Sequence, residues 1–270
     1  MNPARTRPGE SPIEICVLAS GSGGNATYIR SGDSAILIDS GVSLKDLQRR
    51  ASAAGVTLAS LDAVVVSHGH RDHVNGVPVL CRRLGIPVFT SPDTAWETGL
   101  AAAVGEGLSS SFQTGSGFDV GGLRITPFAV PHDSADPAGF VISDGEIKAG
   151  FATDLGSLTL EVLNSLAGCD ALVLESNHDE VMLKEGPYPA KLKKRVRGPR
   201  GHLSNDDAAE LLQAVAHRGL RQLVLAHLST TNNKPELPLE TAGKALAGRS
   251  PSVEISLGWQ DRPGLVIKIG

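Results

Sequence analysis

The run His68-Gly69-His70-Arg71-Asp72-His73 constrains this chain more than any other feature. It follows the apolar, β-branched segment 63–66, which predicts a buried strand. Three imidazoles and one carboxylate within six residues supply good ligands for zinc, manganese or iron. A strand end followed by a turn can direct such closely spaced side chains around two metal positions. A surface loop seldom contains three of a chain's eight histidines, so the run predicts a metal site.

Four further polar residues each come directly after an apolar segment that resembles a strand. They are His132 after 128–131, Asp154 after 151–153, His227 after 223–226 and Asp39 after 36–38. Because side chains at strand ends on one edge of a sheet converge, we expect all four near the histidine run. Each residue alone also fits an ordinary role, such as a turn or core position, or a helix N-cap for Asp154.

Short apolar segments between Gly, Ser and Asn turns dominate the first half of the chain, whereas helical and strand patterns alternate in the second. This order predicts an α/β fold, with two mixed β-sheets and helices outside them. We expect a flexible tail at 1–12 and one domain over 13–270. The predicted strands are 13–19, 27–30, 35–39, 62–67, 87–90, 123–130, 139–143, 147–153, 171–174, 223–225, 253–256 and 264–268, and the predicted helices are 43–54, 158–167, 204–218 and 239–247.

Composition and the N-terminal sequence bear on where the protein is located, but they say little about its binding partner. The 270 residues are 41% apolar and 20% charged, which is ordinary for a soluble globular protein. The net charge of −4 gives no sign of a nucleic-acid partner, so any such argument must come from local charge. The N-terminus has no apolar segment typical of a secretory signal, and no stretch could span a membrane. We expect a cytoplasmic protein with three buried free thiols, at Cys16, Cys81 and Cys169.

The combined pattern resembles the metallo-β-lactamase superfamily, in which His-x-His-x-Asp-His is followed by a histidine, an aspartate and a last histidine in this order. The resemblance covers residues 13 to about 257 and implies an αββα sandwich with two divalent metal ions at one edge. It implies that His68, His70 and His132 hold one ion, that Asp72, His73 and His227 hold the other, and that Asp154 bridges both. Asp39 would be an outer carboxylate that orients the ligands.

Other motifs are similar to those of the YycJ/WalJ (VicX) subfamily, which is associated with 5′-to-3′ exonuclease activity on DNA. They are 18–25, 175–179, 186–189, 201–205, and 227–233 with Pro235 and Glu236. A more distant similarity is to the phosphodiesterases of phosphonate metabolism. Ser176 departs from the subfamily, where a small alanine-like residue is expected. The interval from Asp154 to His227 is too short for the large inserted domain of ribonuclease J and the cleavage-factor nucleases.

Two histidines outside the ligand set are candidates for chemistry. In related phosphodiesterases a histidine between the bridging aspartate and the last histidine lies near the scissile phosphate, which implies that His202 could protonate the leaving oxygen. His202 could instead cap the helix predicted after it. His178 could bind substrate or only hold a loop.

A basic segment precedes His202 directly. Its side chains could form a cationic wall that attracts a phosphate backbone, or only a solvated helix face. Aromatic residues are 4% of the chain, so we expect recognition mainly of the backbone rather than of stacked bases. The basic residues predicted to bind substrate are Lys194, Arg195, Arg197 and Arg200.

These features together predict a two-metal phosphodiester hydrolase, with single-stranded DNA or a small phosphodiester as its substrate. A hydroxide that bridges the ions would attack phosphorus, with Asp72, Asp154 and His202 as the catalytic residues. Zinc is the default ion for these ligands, and manganese also fits them. Two alternatives remain open: a thioester or ester hydrolase on the same site, and a nucleic-acid-binding module without turnover.

Overall fold

The computed structural model describes residues 12–270, so the tail predicted at 1–12 lies almost wholly outside the described residues. Within the described range, strands and helices follow each other in the order predicted for a layered α/β fold. The strands are β1 Ile13–Ala19, β2 Ala26–Ser31, β3 Ser34–Ile38, β4 Ala63–Val65, β5 Val88–Thr90, β6 Ser109–Ser111, β7 Phe118–Val120, β8 Leu123–Ala129, β9 Ala138–Ser143, β10 Lys148–Ala152, β11 Ala171–Glu175, β12 Gln222–Ala226, β13 Glu254–Leu257 and β14 Ile267–Ile269.

The helices lie mainly in the connections between parallel strands. A short 3₁₀ turn at Leu58–Ser60 accompanies them. The helices are α1 Leu44–Ala54, α2 Arg71–Val74, α3 Val77–Leu84, α4 Pro92–Thr98, α5 Leu100–Val104, α6 Leu160–Leu166, α7 Glu180–Glu185, α8 Ala190–Val196, α9 Asn205–Val215 and α10 Glu236–Leu246.

The strands form two mixed sheets of seven strands each. The first sheet has the order β14-β1-β2-β3-β4-β5-β6, with antiparallel pairs up to β3 and parallel pairs from β3 to β6. The second has the order β13-β12-β11-β10-β9-β8-β7, with parallel pairs from β13 to β10 and antiparallel pairs beyond. In each sheet the parallel strands therefore end at one common edge.

Strand periodicity explains why the two sheets pack face to face with helices outside. Alternate side chains of a strand point to opposite faces. In β1, Ile13 and Ile15 belong to the core between the sheets, whereas Leu18 packs with α1 and α3. In β11, Val173 belongs to the core between the sheets, whereas Leu174 packs with α6, α9 and α10. Strands with both faces apolar must be covered on both sides, which gives the αββα layers.

The predicted fold class is confirmed, and most predicted elements lie within two residues of the observed ones. Ser43, the first residue of the helix predicted at 43–54, is the N-cap of α1, since its side chain accepts a hydrogen bond from the backbone N–H of Asp46. The sequence analysis missed β6, β7, the helices α2 to α5 and α7, because segments of three to eight residues carry little periodicity.

The remaining predictions concern the cysteines, membrane-spanning segments, the number of domains and the location of the protein. All three cysteines are buried and free, as predicted. In residues 12–270, no helix is both long and apolar enough to cross a bilayer. The single domain and the cytoplasmic location stay predictions.

Candidate metal centre

The candidate site lies at the edge where the parallel strands of both sheets end. Asp39 follows β3, and Asp154 follows β10. Glu175 is the last residue of β11, and His227 follows β12. Because β8 runs antiparallel to β9, which runs antiparallel to β10, the end of β8 lies at this same edge and delivers His132. The strand order thus brings together residues that are up to 188 positions apart.

Both predicted ligand triads are brought together. In each triad the three ligand atoms, one from each side chain, all lie within 4.8 Å of one another. One group is His68, His70 and His132, and the other is Asp72, His73 and His227.

Asp154 lies between the two groups, as expected for a bridging carboxylate. Its Oδ2 atom is 3.1 Å from Nε2 of His73. Its Oδ1 atom is 3.7 Å from Nε2 of His132 and 3.7 Å from Nδ1 of His227. Asp154 is not a helix N-cap, because Thr159 caps the helix that follows.

Partners outside the cluster hold the Nδ1 atoms of several histidines. Nδ1 of His73 is 2.7 Å from the carboxylate of Asp39, and Nδ1 of His132 is 3.0 Å from the carbonyl oxygen of Gly201. A carboxylate or carbonyl oxygen only accepts, so these Nδ1 atoms carry the proton. The Nε2 atoms then carry the lone pair that a ligating histidine needs, and in His73 this atom also lies 2.9 Å from Nδ2 of Asn25.

Buried atoms without partners test whether a cation fits this cluster. Within residues 12–270, Nε2 of His68, Nε2 of His227 and Oδ2 of Asp154 are inaccessible to solvent and have no hydrogen-bond partner. Buried polar atoms are normally paired, because an unpaired one costs roughly 1–3 kcal/mol. Three such atoms in one imidazole and carboxylate cluster fit the donor set of a divalent metal ion.

Strained backbone accompanies the same positions. Asp39, Asp154 and His227 adopt the left-handed conformation, with φ of 60°, 57° and 55°. Residues other than glycine seldom adopt this region, and the cost is about 1–3 kcal/mol each. The reversal directly after each strand turns the side chain back over the sheet edge and into the cluster.

Glu175 is a functional residue whose role the sequence analysis missed. Its Oε1 atom accepts from Nδ1 of His202 and from Nδ1 of His227, both at 2.8 Å. Its Oε2 atom accepts from the backbone N–H groups of Leu155 and Leu203. Burial opposes the charge of Glu175, but His202 and His227 outweigh it and lower the pKa of the carboxyl to about 2. The sequence signal was present, because Glu175 also stands at a strand end.

The pKa values of the histidines in the cluster are shifted in opposite directions. Burial disfavours the cation at His73, but the carboxylates of Asp154 and Asp39 outweigh it and raise its pKa well above the usual value. Burial, together with the neighbouring His73, lowers the pKa of His68 well below that value. Burial likewise opposes the cation at His227, yet Asp154 and the other carboxylates raise its pKa to about 10. The carboxylates of the cluster therefore favour positive charge at this site.

His202 lies at the rim of the cluster, beside a pocket of about 400 Å³. Its Nδ1 atom is 3.7 Å from Oδ1 of Asp154, and its side chain is 14% exposed. Because Glu175 accepts from Nδ1, Nε2 is the free nitrogen of His202. The side chain of His178 is buried and lines the same pocket, with no partner at Nδ1. Burial lowers the pKa of His178 to about 4, so this imidazole is neutral near pH 7.

The basic segment is divided between paired and exposed side chains. Arg195 forms a bidentate ion pair with Asp133, at 2.6 and 3.0 Å, beside His132. Arg200 donates to the carbonyl oxygen of His132 at 3.0 Å. Lys194 and Arg197 are exposed, and Arg197 lies 4.0 Å from Glu180. Arg195 and Arg200 thus support the loop of His132, and the substrate-binding role of all four basic residues stays a prediction.

Comparisons with known proteins identify the family. A model of the β-lactamase superfamily domain matches residues 34–228, which include every candidate ligand. This chain belongs to the β-lactamase superfamily. Exodeoxyribonuclease YycJ of Bacillus anthracis is 31% identical over 236 residues, which cover 87% of this chain and 89% of the relative. Exodeoxyribonuclease WalJ of Streptococcus pneumoniae is 31% identical over 241 residues, which cover 88% of this chain and 90% of the relative.

Solved structures agree on the fold. The metallo-β-lactamase fold protein YhfI from Bacillus subtilis superposes with a TM-score of 0.72 at 18% identity, covering 95% of this chain and 99% of that one. The resemblance to the superfamily and the αββα sandwich are thus confirmed. The protein is an enzyme of this hydrolase superfamily, whose fold implies divalent metal ions that the histidine and aspartate cluster fits.

Proposed function

We propose that the protein is a two-metal phosphodiesterase that degrades nucleic acid, as an exonuclease on single-stranded DNA with 5′-to-3′ polarity. The observation that carries the proposal is the imidazole of His202, which Glu175 holds at the rim of a cluster of six candidate ligands around Asp154. Two relatives named exodeoxyribonucleases, aligned over almost nine tenths of both chains, support nucleic acid as the substrate class.

In this proposal each triad would hold one divalent ion, and Asp154 would complete the ligand set. Asp39 and Glu175 act through the histidines that they orient. Zinc suits the predominance of imidazole ligands, and manganese also accepts a mixed set of imidazoles and carboxylates.

The bound ions supply Lewis acidity, which activates water as a nucleophile and stabilises charge on the phosphoryl group. The protein's own contribution at the leaving group comes from His202. Glu175 holds Nδ1 of that ring, so Nε2 can carry a proton towards the pocket and deliver it to the leaving oxygen.

Comparing two leaving groups tests the role of His202. His202→Ala should lower kcat on a DNA oligonucleotide by about 10²–10⁴, because an alkoxide leaves poorly without a proton. The same variant should lose far less on bis(p-nitrophenyl) phosphate, whose leaving group needs no proton. His217→Ala is the matched control. Nε2 of His217 contacts the carbonyl oxygen of Cys169, which lies before the start of β11, whereas the candidate site lies at the end of that strand. Equal losses on both substrates would contradict the assignment of His202 as an acid.

End-labelled oligonucleotides test the nuclease itself. Metal-loaded protein should release mononucleotides from single-stranded DNA, and the 5′ or 3′ label that is released first gives the polarity. Asp72→Ala should suppress both cleavage and metal content. Turnover of the small phosphodiester alone would move the substrate to a small molecule. Turnover of a thioester alone would replace phosphodiester chemistry with ester hydrolysis.

A further inference from the structure

A second pocket opens directly beyond His227, away from the pocket at His202. Its volume is about 380 Å³. One wall is the segment that follows His227, including Leu228, Ser229 and Lys234, and the other wall carries Trp259 and Arg262. The first wall belongs mainly to the sequence motif 227–233, for which the proposed function uses only His227.

Hydrogen bonds tie this pocket to the candidate metal centre. The backbone N–H of His227 donates to Oγ of Ser20 at 2.7 Å, and the backbone N–H of Ser20 donates to the carbonyl oxygen of Trp259 at 3.0 Å. The backbone N–H of Gly258 donates to the carbonyl oxygen of Leu225 at 2.8 Å. The pocket wall and a candidate ligand therefore share one hydrogen-bonded frame, which holds the pocket at a fixed position beside the segment that begins at His227.

Trp259 and Arg262 form a flat stacking layer. The guanidinium carbon of Arg262 lies 3.9 Å from the centre of the Trp259 ring. The indole is half-buried against the helix-side core of the second sheet, whereas the Arg262 side chain is 55% exposed. A guanidinium supported by an indole offers its outer face to solvent, and nucleobases stack on such planar groups.

The charged residues of this pocket give it a positive balance, which suits a polyanion. Its charged residues are Lys234 and Arg262 against Asp261, which lies 3.6 Å from Arg262. The pocket at His202 has the opposite balance, with one arginine against three carboxylates, namely Arg197, Glu180, Asp207 and Glu210.

We infer that the pocket beyond His227 is a nucleobase subsite, in which a base next to the cleaved phosphodiester stacks on the Arg262–Trp259 layer. This inference rests on the proposed function and extends it. It assigns base stacking to a chain whose low aromatic content predicted recognition mainly of the backbone. Stacking of one base corresponds to about 5- to 100-fold in affinity.

Tryptophan fluorescence tests the subsite directly. The chain has two tryptophans, Trp96 and Trp259, and Trp96 is 87% exposed on α4. In metal-loaded Trp96→Phe protein, a phosphorothioate-linked oligothymidylate should quench Trp259 saturably. In Trp259→Phe protein, the same titration should leave the fluorescence of Trp96 nearly unchanged. Quenching confined to Trp96 would overturn the subsite.

An abasic oligonucleotide provides the second measurement. The wild-type protein should bind an intact oligonucleotide about 5- to 100-fold more tightly than one with an abasic nucleotide at the responsive position. Arg262→Ala should bring this preference close to one, whereas Arg218→Ala, an exposed arginine elsewhere, should keep it. A preference retained in Arg262→Ala protein would refute stacking on this layer. Cleavage without a Trp259 response refutes the subsite alone, whereas absence of both cleavage and binding refutes the nuclease assignment as well.

Discussion

At the scale of single residues, five histidines of the site share one arrangement, in which another residue holds Nδ1 of the ring. The partners are the hydroxyl of the adjacent Ser67, two carboxylates and a backbone carbonyl, and the carboxylates and the carbonyl come from distant parts of the chain. A fixed tautomer and ring orientation lower the entropy that a ligand must lose on binding a metal. The histidines held in this way are His68, His73, His132, His202 and His227.

Replacing Glu175 should disturb two histidines at once. In Glu175→Gln protein, an amide NH₂ faces N–H donors that the carboxylate accepted, so His202 and His227 lose their common anchor. We expect metal affinity to fall about 10- to 100-fold, measured by competition with a chelator. Glu254→Gln, at an exposed glutamate of β13, is the control and should keep the wild-type affinity. Unchanged affinity in Glu175→Gln protein would contradict the orienting role.

Gly41 packs so closely against the loop of Asp72 that there is no room for a side chain. A Cβ atom here would lie 1.6 Å from the carbonyl oxygen of Asp72. Gly41→Ala should therefore displace the loop of Asp72 and destabilise the fold by at least about 2 kcal/mol, measured by urea unfolding. Gly243→Ala in α10 meets nothing within 4 Å and should gain about 0.5–1 kcal/mol. Equal stability of the two variants would show that the Asp72 loop adapts freely.

At the scale of elements, the strands do more for the site than the helices. The ends of β3, β10 and β12 each pass into one left-handed residue that carries a candidate ligand or its partner. Rigid, hydrogen-bonded strands fix where each side chain starts, and the reversal fixes where it points. The helices around them mainly cover the outer faces of the sheets.

Helix α8 and the residue that follows it should control how the affinity for single-stranded DNA depends on salt. Lys194 and Arg197 are exposed, whereas Arg195 is already paired with Asp133. If each exposed cation neutralises one phosphate, Lys194→Ala with Arg197→Ala should reduce the slope of log affinity against log salt by about 1.4 on single-stranded DNA. Lys244→Ala in α10 should leave the slope unchanged. An unchanged slope in the double variant would make α8 only a solvated face.

At the scale of the whole molecule, burial of the three thiols links stability to alkaline pH. Burial raises the pKa of Cys16, Cys81 and Cys169 from 9.0 to about 12. The unfolded chain therefore ionises first, and stability is complete below pH 9 and declines towards pH 12. At pH 10, ionisation of each thiol in the unfolded chain should lower the free energy of unfolding by about 1.4 kcal/mol relative to pH 8.

Urea unfolding at pH 8 and pH 10 measures this loss. A variant with alanine at all three cysteines should lose less stability between these two pH values than the wild type, whatever its stability at pH 8. Equal losses in the two proteins would show that other groups determine the alkaline limit.

The sequence by itself determined the fold class and the candidate ligands. Both depend on local patterns, since two-residue periodicity marks a strand, and His68 to His73 place several ligand types within one turn. Ends of parallel strands meet at one edge in any such fold, so the positions of His132, Asp154 and His227 after strands were also enough to predict their convergence.

Only the tertiary structure decided which residues serve these ligands. Glu175 gains its role from contacts to residues 27 and 52 positions away, and Trp259 joins Ser20 across 239 positions. The pairing of Arg195 with Asp133 likewise spans 62 positions. No local pattern encodes such partners, because they depend on how two sheets pack and on which strand ends become neighbours.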